Sequence, residues 1–470
     1  MVHRFKLFNS NIIYDANACS LHVINDIASD LLAAMPNESY AAVLNKSLNV
    51  PSAITRKYKS EDINEAIEEI RALITTGELF APDEPEPDPD ALEVTNIFKS
   101  LCIHLAHDCN MRCAYCFATG GSFGAKRELM NYETACAAID FIISASSGRT
   151  NIEIDFFGGE PLLNFDVLKR VVDYARENGR KAGKIFRFTL TTNGLLLDDG
   201  IIDYVNENMD NLVLSIDGRK EINDAVRKHL DGAGTYDDIV AKFKAVTKRR
   251  NASWYVRGTY TAKNIDFAND VLHLADIGFS RISVEPVISP LDISLEITPG
   301  DKDVIFAEYE RLAWAMYERE KKGNPIEFFH FNVDLEGGPC LARRIKGCGA
   351  GYEYAAVTPD GGIYPCHQFA GVEQFRLGNV FDGIDAQAIV DIFKAANLYK
   401  KSECRVCWAK FLCGGGCAAN AWQYNRDIDK PNELYCSIFR KRMECALWLK
   451  CAPHIAPHIA RASVEGMFDA

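Results

Sequence analysis

The sequence lacks a long hydrophobic run and an excess of positive charge. No apolar stretch reaches the roughly 18 residues that a membrane-spanning helix needs, and no signal-peptide pattern follows Met1. The 65 aspartates and glutamates outnumber the 52 lysines and arginines, which gives a net charge of −13. A nucleic acid recognised through its phosphates is therefore not an expected partner. These absences predict a cytoplasmic protein with neither a membrane nor a nucleic-acid partner.

Cysteine, by contrast, is abundant, with 16 among 470 residues. Disulfides are rare in the cytoplasm, so clustered cysteines there more often bind metal or do chemistry. Three of them lie between residues 109 and 116, and ten lie between Cys340 and Cys451. This uneven distribution predicts two separate cysteine-built modules.

A proline-rich acidic segment divides the sequence near its start. Prolines alternate with carboxylates from Pro82 to Asp90, which excludes helix and central strand and indicates an extended linker. The linker predicts that the segment before it folds separately. The predicted units are a first domain at 1–81, the linker at 82–95, a barrel domain at 96–325 and a cysteine-rich domain at 326–470.

Short strands followed by helices are predicted in the first domain. Strand patterns occur at 3–8, 11–15 and 20–24, and helical patterns at 25–35, 40–48 and 61–74, the last with Ser60 as its expected cap. This order suits a winged-helix-like domain. Because its third helix is acidic, the domain is predicted to bind a peptide along a free hairpin edge. A packing domain without a ligand is the alternative.

Strand and helix patterns alternate in the barrel domain. The predicted strands are 101–105, 151–157, 185–190, 211–216, 255–260 and 281–284. Repeated βα units predict an α/β fold with a parallel sheet, and six units suit a partial (β/α)6 barrel. In such barrels the chemistry lies at the C-terminal ends of the strands, and the first cysteine group follows the first strand.

The first cysteine group consists of Cys109, Cys113 and Cys116, with the spacing C-x3-C-x2-C. Three thiolates can bind three corners of a cubane iron–sulfur cluster and leave the fourth iron open for a ligand. A structural zinc site normally takes four ligands, and buried structural thiols are the other alternative. The spacing resembles the fingerprint of the radical S-adenosylmethionine (SAM) enzymes.

A glycine pair after the second strand strengthens this resemblance. Gly158 and Gly159 would let a ligand approach the backbone, and Glu160 offers a carboxylate to an ammonium group. The resemblance implies that this turn binds the amino group of SAM, with a plain tight turn as the alternative. It also implies SAM contacts from other polar or aromatic residues, namely Tyr115, Thr192, Asn193, Ser215, Asp217 and Arg227. The alternative interpretation is that those residues cap strand ends or form ion pairs at the surface.

The C-terminal cysteines resemble the seven-cysteine SPASM pattern, whose members bind two auxiliary [4Fe–4S] clusters. The resemblance assigns Cys348, Cys366 and Cys417 to the nearer cluster. It assigns the following to the more distant one: Cys404, Cys407, Cys413 and Cys436. Cys340 stands where some members have a fourth ligand to the nearer cluster and others leave that iron open. Two zinc sites are the competing interpretation.

Together the motifs resemble peptide-modifying enzymes, and more closely the maturases of SCIFF peptides (six cysteines in forty-five residues), through segments 98–117, 154–161 and 188–196. The resemblance implies an enzyme that uses SAM and three [4Fe–4S] clusters to join a cysteine sulfur to a carbon, often of threonine, as a thioether. It also implies a Cys-rich precursor peptide whose leader binds the first domain, and an electron donor such as flavodoxin or ferredoxin. Asp217 and Glu285 are candidate general bases.

Two other functions fit parts of the same pattern. An anaerobic sulfatase-maturating enzyme would have the same clusters and would oxidise a Cys or Ser to formylglycine, but it does not need a leader-binding domain. A nonenzymatic iron–sulfur carrier or zinc scaffold would have no use for the Gly158-Gly159-Glu160 turn.

Overall fold

The structure is a computed structural model, and it describes residues 1–34, 50–82, 97–336 and 341–454. The helix predicted at 40–48, nearly all of the linker and Cys340 lie outside the described residues. None of the helices in the described ranges is long and apolar enough to cross a membrane.

The described strands and helices are as follows. The strands are β1 Val2–Leu7, β2 Ser10–Asp15, β3 Ser20–Ile24, β4 Ser100–Ala106, β5 Met111–Cys113, β6 Asn151–Gly158, β7 Ile185–Thr192, β8 Asn211–Ser215, β9 Arg227–His229, β10 Ser253–Tyr260, β11 Arg281–Pro286, β12 Glu327–Phe328, β13 Tyr354–Val357, β14 Gly362–Tyr364, β15 Gly378–Asn379 and β16 Gly383–Ile384. The α-helices are α1 Asp26–Ala34, α2 Ser52–Lys57, α3 Ser60–Thr75, α4 Tyr132–Ala145, α5 Phe165–Ala182, α6 Asp199–Asn208, α7 Lys220–Val226, α8 Tyr236–Arg249, α9 Ala268–Asp276, α10 Lys302–Lys321, α11 Leu341–Lys346, α12 Gln387–Ala395, α13 Ser402–Arg405, α14 Lys410–Cys413, α15 Ala418–Asn425 and α16 Glu433–Cys451.

Parallel strands form the centre of the main sheet. Strands β4, β6, β7, β8, β10 and β11 pair in parallel and lie side by side in chain order. This confirms a mixed α/β fold on a parallel sheet, and each of the six predicted strands overlaps one of these. Strands β12 and β13 extend the sheet in parallel at its two sides, and β14 to β16 continue it as antiparallel strands. The C-terminal region therefore shares a sheet with the barrel.

The two faces of the parallel sheet differ in polarity, because successive side chains of a strand point to opposite sides. On β6, Ile152, Ile154 and Phe156 are fully buried and belong to one core with side chains of α4 and α5. Glu153 and Asp155 lie on the opposite face of the same strand, which is less buried. The apolar face anchors the helices, and the polar face remains available for a site.

The N-terminal antiparallel sheet is apolar on both faces. On β2, Ile13 joins a small core with α1, α2 and α3, whereas Ile12 and Tyr14 belong to the main core. The ring centroid of Phe8 lies 4.7 Å from that of Trp448 and 5.2 Å from that of Trp314. The linker sequence predicted a separately folding domain, but a strand that is apolar on both faces needs a layer on each side. The N-terminal sheet therefore shares the main core.

The third helix of this unit differs in one detail from the sequence expectation. Ser60 was expected to cap it, but α3 begins at Ser60 itself, so that Lys59 occupies the capping position without a side-chain cap. The three strands lie at the predicted positions. The winged-helix-like character of the domain stays a prediction.

Replacing Phe8 with alanine tests the shared core. Because Phe8 packs between two tryptophans of the main body, Phe8→Ala should lower the free energy of unfolding by about 3–5 kcal/mol. The loss should appear as a lower melting temperature of the main thermal transition. The control Phe381→Ala removes a ring that is 53% exposed and should change stability by less than about 0.5 kcal/mol. A separate early transition with an unchanged main transition would show that the first unit folds alone.

Candidate active site

A cavity of about 420 Å³ lies along the polar face of the parallel sheet. Side chains from β4, β6, β7, β8, β10 and β11 line it, together with the loops that follow these strands. Ten of the predicted site residues line this one cavity: Cys109, Cys113, Tyr115, Cys116, Gly158, Gly159, Thr192, Asn193, Ser215 and Arg227. The other two predicted SAM contacts, Glu160 and Asp217, are fully buried behind the lining.

The glycine pair fits against the backbone that leads into the cysteine loop. The amide of Gly159 donates to the carbonyl of Ala106 at 2.8 Å, and the amide of Glu160 donates to the carbonyl of Asp108 at 2.9 Å. A Cβ on Gly158, whose φ is +121°, would overlap the carbonyl oxygen of Ala106, and one on Gly159 would overlap that of Asp108. The close neighbour that requires glycine in this structure is thus the protein's own loop.

Glu160 connects this turn to the end of β7. Its carboxylate accepts hydrogen bonds from the Leu162 amide at 3.1 Å, the Thr192 hydroxyl at 2.8 Å and the Asn193 amide at 2.8 Å. Burial raises the pKa of Glu160 to about 7, although the three hydrogen bonds favour its charged form. The carboxylate therefore holds two cavity walls together, and its contact with an ammonium group stays a prediction.

Tyr115, Asp217 and Arg227 form one buried network. The Tyr115 hydroxyl donates to Asp217 Oδ2 at 2.8 Å, and Arg227 Nη1 donates to the Tyr115 hydroxyl at 2.8 Å. Pairing of β5 with β9 sets Arg227 opposite Cys113. Burial raises the pKa of Asp217, and the guanidinium of Arg227 opposes this shift. The predicted SAM contacts thus bind one another and form a rigid wall beside the cysteine loop.

One atom of this wall has no partner within the described part of the chain. The Nε of Arg227 is buried and has no hydrogen-bond acceptor there. A buried unpaired donor is costly, and a ligand that carries an acceptor removes the cost. Arg227 is one of the residues that line the cavity with the three cysteines, and a polar ligand such as SAM carries acceptors of the kind that this donor lacks.

The cysteine loop has the donor set that a cubane cluster needs. Cys109 Sγ accepts hydrogen bonds from the Met111 amide at 3.4 Å and from Asn193 Nδ2 at 3.6 Å, and such donors tune cluster thiolates. Burial raises the pKa of Cys109 to about 12 and that of Cys113 to about 11, so a metal must displace their protons. Across the described ranges, no three His, Cys, Asp or Glu residues are grouped for a single metal ion. Cysteines of a cubane cluster each bind a different iron, so a cluster does not require three thiols around one metal ion.

The C-terminal cysteines fall into two groups in space. Burial raises the pKa of Cys366, and the neighbouring Cys417 and Cys348 raise it further. In the second group, burial and neighbouring thiols raise the pKa of Cys436 to about 12 and that of Cys404 to about 11. The members of this group that act on one another are Cys404, Cys407, Cys413 and Cys436. The structure brings together the residues of each predicted group, and the binding of clusters by them stays a prediction.

The two remaining cysteines of the C-terminal helix are Cys445 and Cys451. Both are buried in α16.

Sequence reasoning missed two residues that line the cavity, Arg257 and Asp155. Arg257 Nη2 donates to Glu285 Oε2 at 2.7 Å, and Glu285 was one of the two candidate bases. Burial raises the pKa of Glu285, but Arg257, His330 and Arg442 together outweigh burial, so the pKa lies below its ordinary value. Asp155 lines the same cavity, and burial raises its pKa to about 6. The alternation of Glu153 and Asp155 with apolar residues along β6 was the available sequence signal for Asp155.

Comparison with known proteins agrees with this geometry. The segment 103–260 matches the radical SAM superfamily. It is a radical SAM domain. A cysteine-type anaerobic sulfatase-maturating enzyme from Clostridium perfringens is 26% identical over 359 residues, which cover 72% of this chain and 93% of the relative. The radical SAM domain contains the cysteine loop, the glycine turn and the buried network of Tyr115.

Solved structures extend the comparison beyond the radical SAM domain. Native anSMEcpe with bound AdoMet aligns with a TM-score of 0.64 and 22% identity, over 76% of this chain and all of that one. Streptococcus suis SuiB bound to the precursor peptide SuiA aligns with a TM-score of 0.51 and 16% identity, over 92% of this chain and 98% of that one. At these identities the alignments show a shared fold.

Replacing Gly159 with alanine tests the contact between the glycine turn and the cysteine loop. Because the added methyl group would overlap the Asp108 carbonyl, Gly159→Ala should displace the loop and lower the iron bound after anaerobic reconstitution by about four atoms. Gly148→Ala is the matched control, since a Cβ there meets nothing within 4 Å. Equal iron content in both variants would contradict the proposed contact.

Proposed function

We propose that the protein is a radical SAM enzyme that modifies a peptide, with a [4Fe–4S] cluster on Cys109, Cys113 and Cys116. The observation that carries the proposal is the contact between the cysteine loop and the glycine turn at one cavity of a radical SAM domain. When bound, the reduced cluster and SAM supply a 5′-deoxyadenosyl radical that can take a hydrogen atom from an unactivated carbon.

The chain's own residues position the reactants. Glu160 fixes the turn to β7, and the network of Tyr115, Asp217 and Arg227 gives a wall with few degrees of freedom. A rigid site keeps the substrate C–H bond beside the radical, because movement of the substrate within the site would permit side reactions. The unpaired Nε of Arg227 is our candidate donor to SAM.

The two C-terminal cysteine groups support two auxiliary [4Fe–4S] clusters. We assign Cys348, Cys366 and Cys417 to the nearer cluster and the group of Cys404, Cys407, Cys413 and Cys436 to the other. His367 and Gln368, next to Cys366, line the cavity, so the nearer group adjoins the space where a substrate would react. A site of this kind can lower the pKa of a substrate thiol and accept an electron.

A precursor peptide is the substrate that fits the N-terminal sheet. Among the described strands, β3 pairs only with β2 and forms one edge of that sheet, which an extended leader can join as a further strand. The alignment with SuiB, whose structure contains a precursor peptide, reaches further along this chain than the alignment with anSMEcpe does. The proposed electron donor is a flavodoxin or ferredoxin.

Thioether formation in a Cys-rich precursor is the reaction we propose. The resemblance to SCIFF maturases supports it, and the N-terminal sheet provides a place for the leader. Formylglycine formation, the reaction of sulfatase-maturating enzymes, is the alternative outcome that the product assay distinguishes.

Product analysis tests the reaction. Incubation of enzyme, SAM, reductant and a Cys-rich precursor should lower the peptide mass by about 2 Da per crosslink, because one S–H and one C–H hydrogen are lost. The crosslinked cysteine should resist alkylation after reduction, whereas a disulfide would regain alkylation. Alanine at Cys109, Cys113 and Cys116 should abolish 5′-deoxyadenosine formation. An aldehyde detected with a hydrazine probe would favour formylglycine instead.

A charge on the edge of β3 tests leader recognition. Val23 is 43% exposed on this strand, so Val23→Glu should weaken leader binding about tenfold, a loss of about 1.4 kcal/mol, while SAM cleavage is unchanged. Val304→Glu, at a 47% exposed site on α10, is the control and should bind normally. Binding can be measured by fluorescence anisotropy of a labelled leader. Equal affinity of both variants would exclude this edge as the binding site.

A further inference from the structure

Formation of a thioether needs an acceptor for one proton. The 5′-deoxyadenosyl radical takes a hydrogen atom, so that a substrate C–H bond breaks and a carbon radical remains. Joining this carbon to the substrate thiol forms the C–S bond and breaks the S–H bond, which releases one proton and one electron. The electron needs a one-electron acceptor of the iron–sulfur class, and the proton needs a base in the cavity.

Two carboxylates line the cavity, and only one of them is free to act as a base. Glu285 forms an ion pair with Arg257 and lies 3.6 Å from His330, so its charged form is stabilised. A carboxylate held in this way binds a proton weakly. Asp155 forms no ion pair with a cation in the described ranges of the chain.

The surroundings of Asp155 follow from the strand pairing. Asp155 lies opposite Cys102 on β4 and Thr189 on β7, and the Thr189 hydroxyl hydrogen-bonds to its carboxylate. Tyr354 on β13 and Tyr255 on β10 interact electrostatically with it although neither strand pairs with β6, and Glu153 is the other charge on its own strand. Each of these titratable neighbours is neutral or negative at neutral pH. Burial followed by the charge of Glu153 raises the pKa of Asp155 to about 6.

We propose that Asp155 accepts the proton that the substrate thiol loses during C–S bond formation. The inference rests on the proposed function. Asp155 lines the cavity that also contains the three cysteines of the radical SAM loop and the residues beside Cys366. The carboxylate is therefore on the cavity surface that a reacting peptide must occupy. The pKa of Asp155, about 6, leaves the carboxylate ionised at neutral pH and lies close to the pH at which a general base works best.

Asp155→Asn, which preserves the shape of the side chain and removes the base, is the test. We expect iron content and 5′-deoxyadenosine formation to remain, because no predicted cluster or SAM contact changes. Thioether formed per 5′-deoxyadenosine should fall by a factor of about 100 or more. Asp155→Glu should restore part of the yield. Glu153→Gln removes the carboxylate two residues earlier on the same strand face, outside the cavity, and leaves the base in place, so it should keep the wild-type yield at neutral pH. Because the charge of Glu153 raises the pKa of Asp155, the pH at which this variant loses yield should lie below that of the wild type.

The pH dependence separates a base from a merely structural residue. In the wild type, thioether per 5′-deoxyadenosine should decrease as the pH falls through about 6, where Asp155 becomes protonated. In Asp155→Asn the yield should be low at every pH. A wild-type profile in Asp155→Asn would overturn the proposal. Failure of the wild type itself to form a thioether would instead reject the proposed function.

Thermal unfolding gives a readout that does not depend on activity. A carboxyl whose pKa is raised on folding adds stability below its unfolded pKa of about 3.9 and loses it as the pH rises through about 6. The melting temperature of Asp155→Asn relative to the wild type should therefore increase between about pH 5 and pH 7. A difference in melting temperature that is constant over this range would mean that folding does not raise the pKa of Asp155, and this would contradict the proposal.

Discussion

The close contact between two backbones is the constraint on which the candidate site depends. The glycine turn after β6 lies so near the loop after β4 that no side chain fits between them. Hydrogen bonds from the Gly159 and Glu160 amides then fix the loop immediately before Cys109. The position of the first cysteine is thus determined by main-chain geometry, which side-chain motion cannot relax. The remaining cysteines of the loop follow from β5, whose pairing with β9 fixes Cys113.

The alternation of apolar and polar side chains along the strands forms both the core and the cavity. Every second side chain of β6 is apolar and packs against the helices, while Glu153 and Asp155 occupy the other face. On β7, Thr189 and Thr191 line the cavity in the same way, and Leu190 between them is buried. Polar side chains on the cavity face do not interrupt the apolar core, because that core lies on the opposite face of the sheet. A sheet of this kind can therefore carry ionisable groups near reacting atoms.

The fold and the position of the site were largely predictable from sequence. The βα alternation gave the parallel strands, and the cysteine and glycine motifs gave the loops at their ends. The contacts within the site were not predictable. The network of Tyr115, Asp217 and Arg227 joins residues 102 and 112 positions apart, and no local pattern records such a pairing. The raised pKa of Asp155 likewise depends on burial by distant strands. The core that the N-terminal sheet shares with the main body was not predictable either, because composition does not show which face of β2 finds a partner.

The shared core has a consequence for substrate recognition. The ring of His3 on β1 stacks on Trp408 at 3.9 Å, between Cys407 and Cys413, and His3 Nε2 lies 2.9 Å from Glu444 Oε1. Together with Phe8 these contacts hold the N-terminal sheet against the cysteine-rich region, so that β3 cannot move as a tethered module would. A leader that joins β3, as proposed above, would therefore be held at a fixed distance from the cavity. The length of precursor between the leader and the modified residue would then have to match that distance, so recognition would select which residue reaches the radical. A flexible linker would have provided high local concentration without such selection.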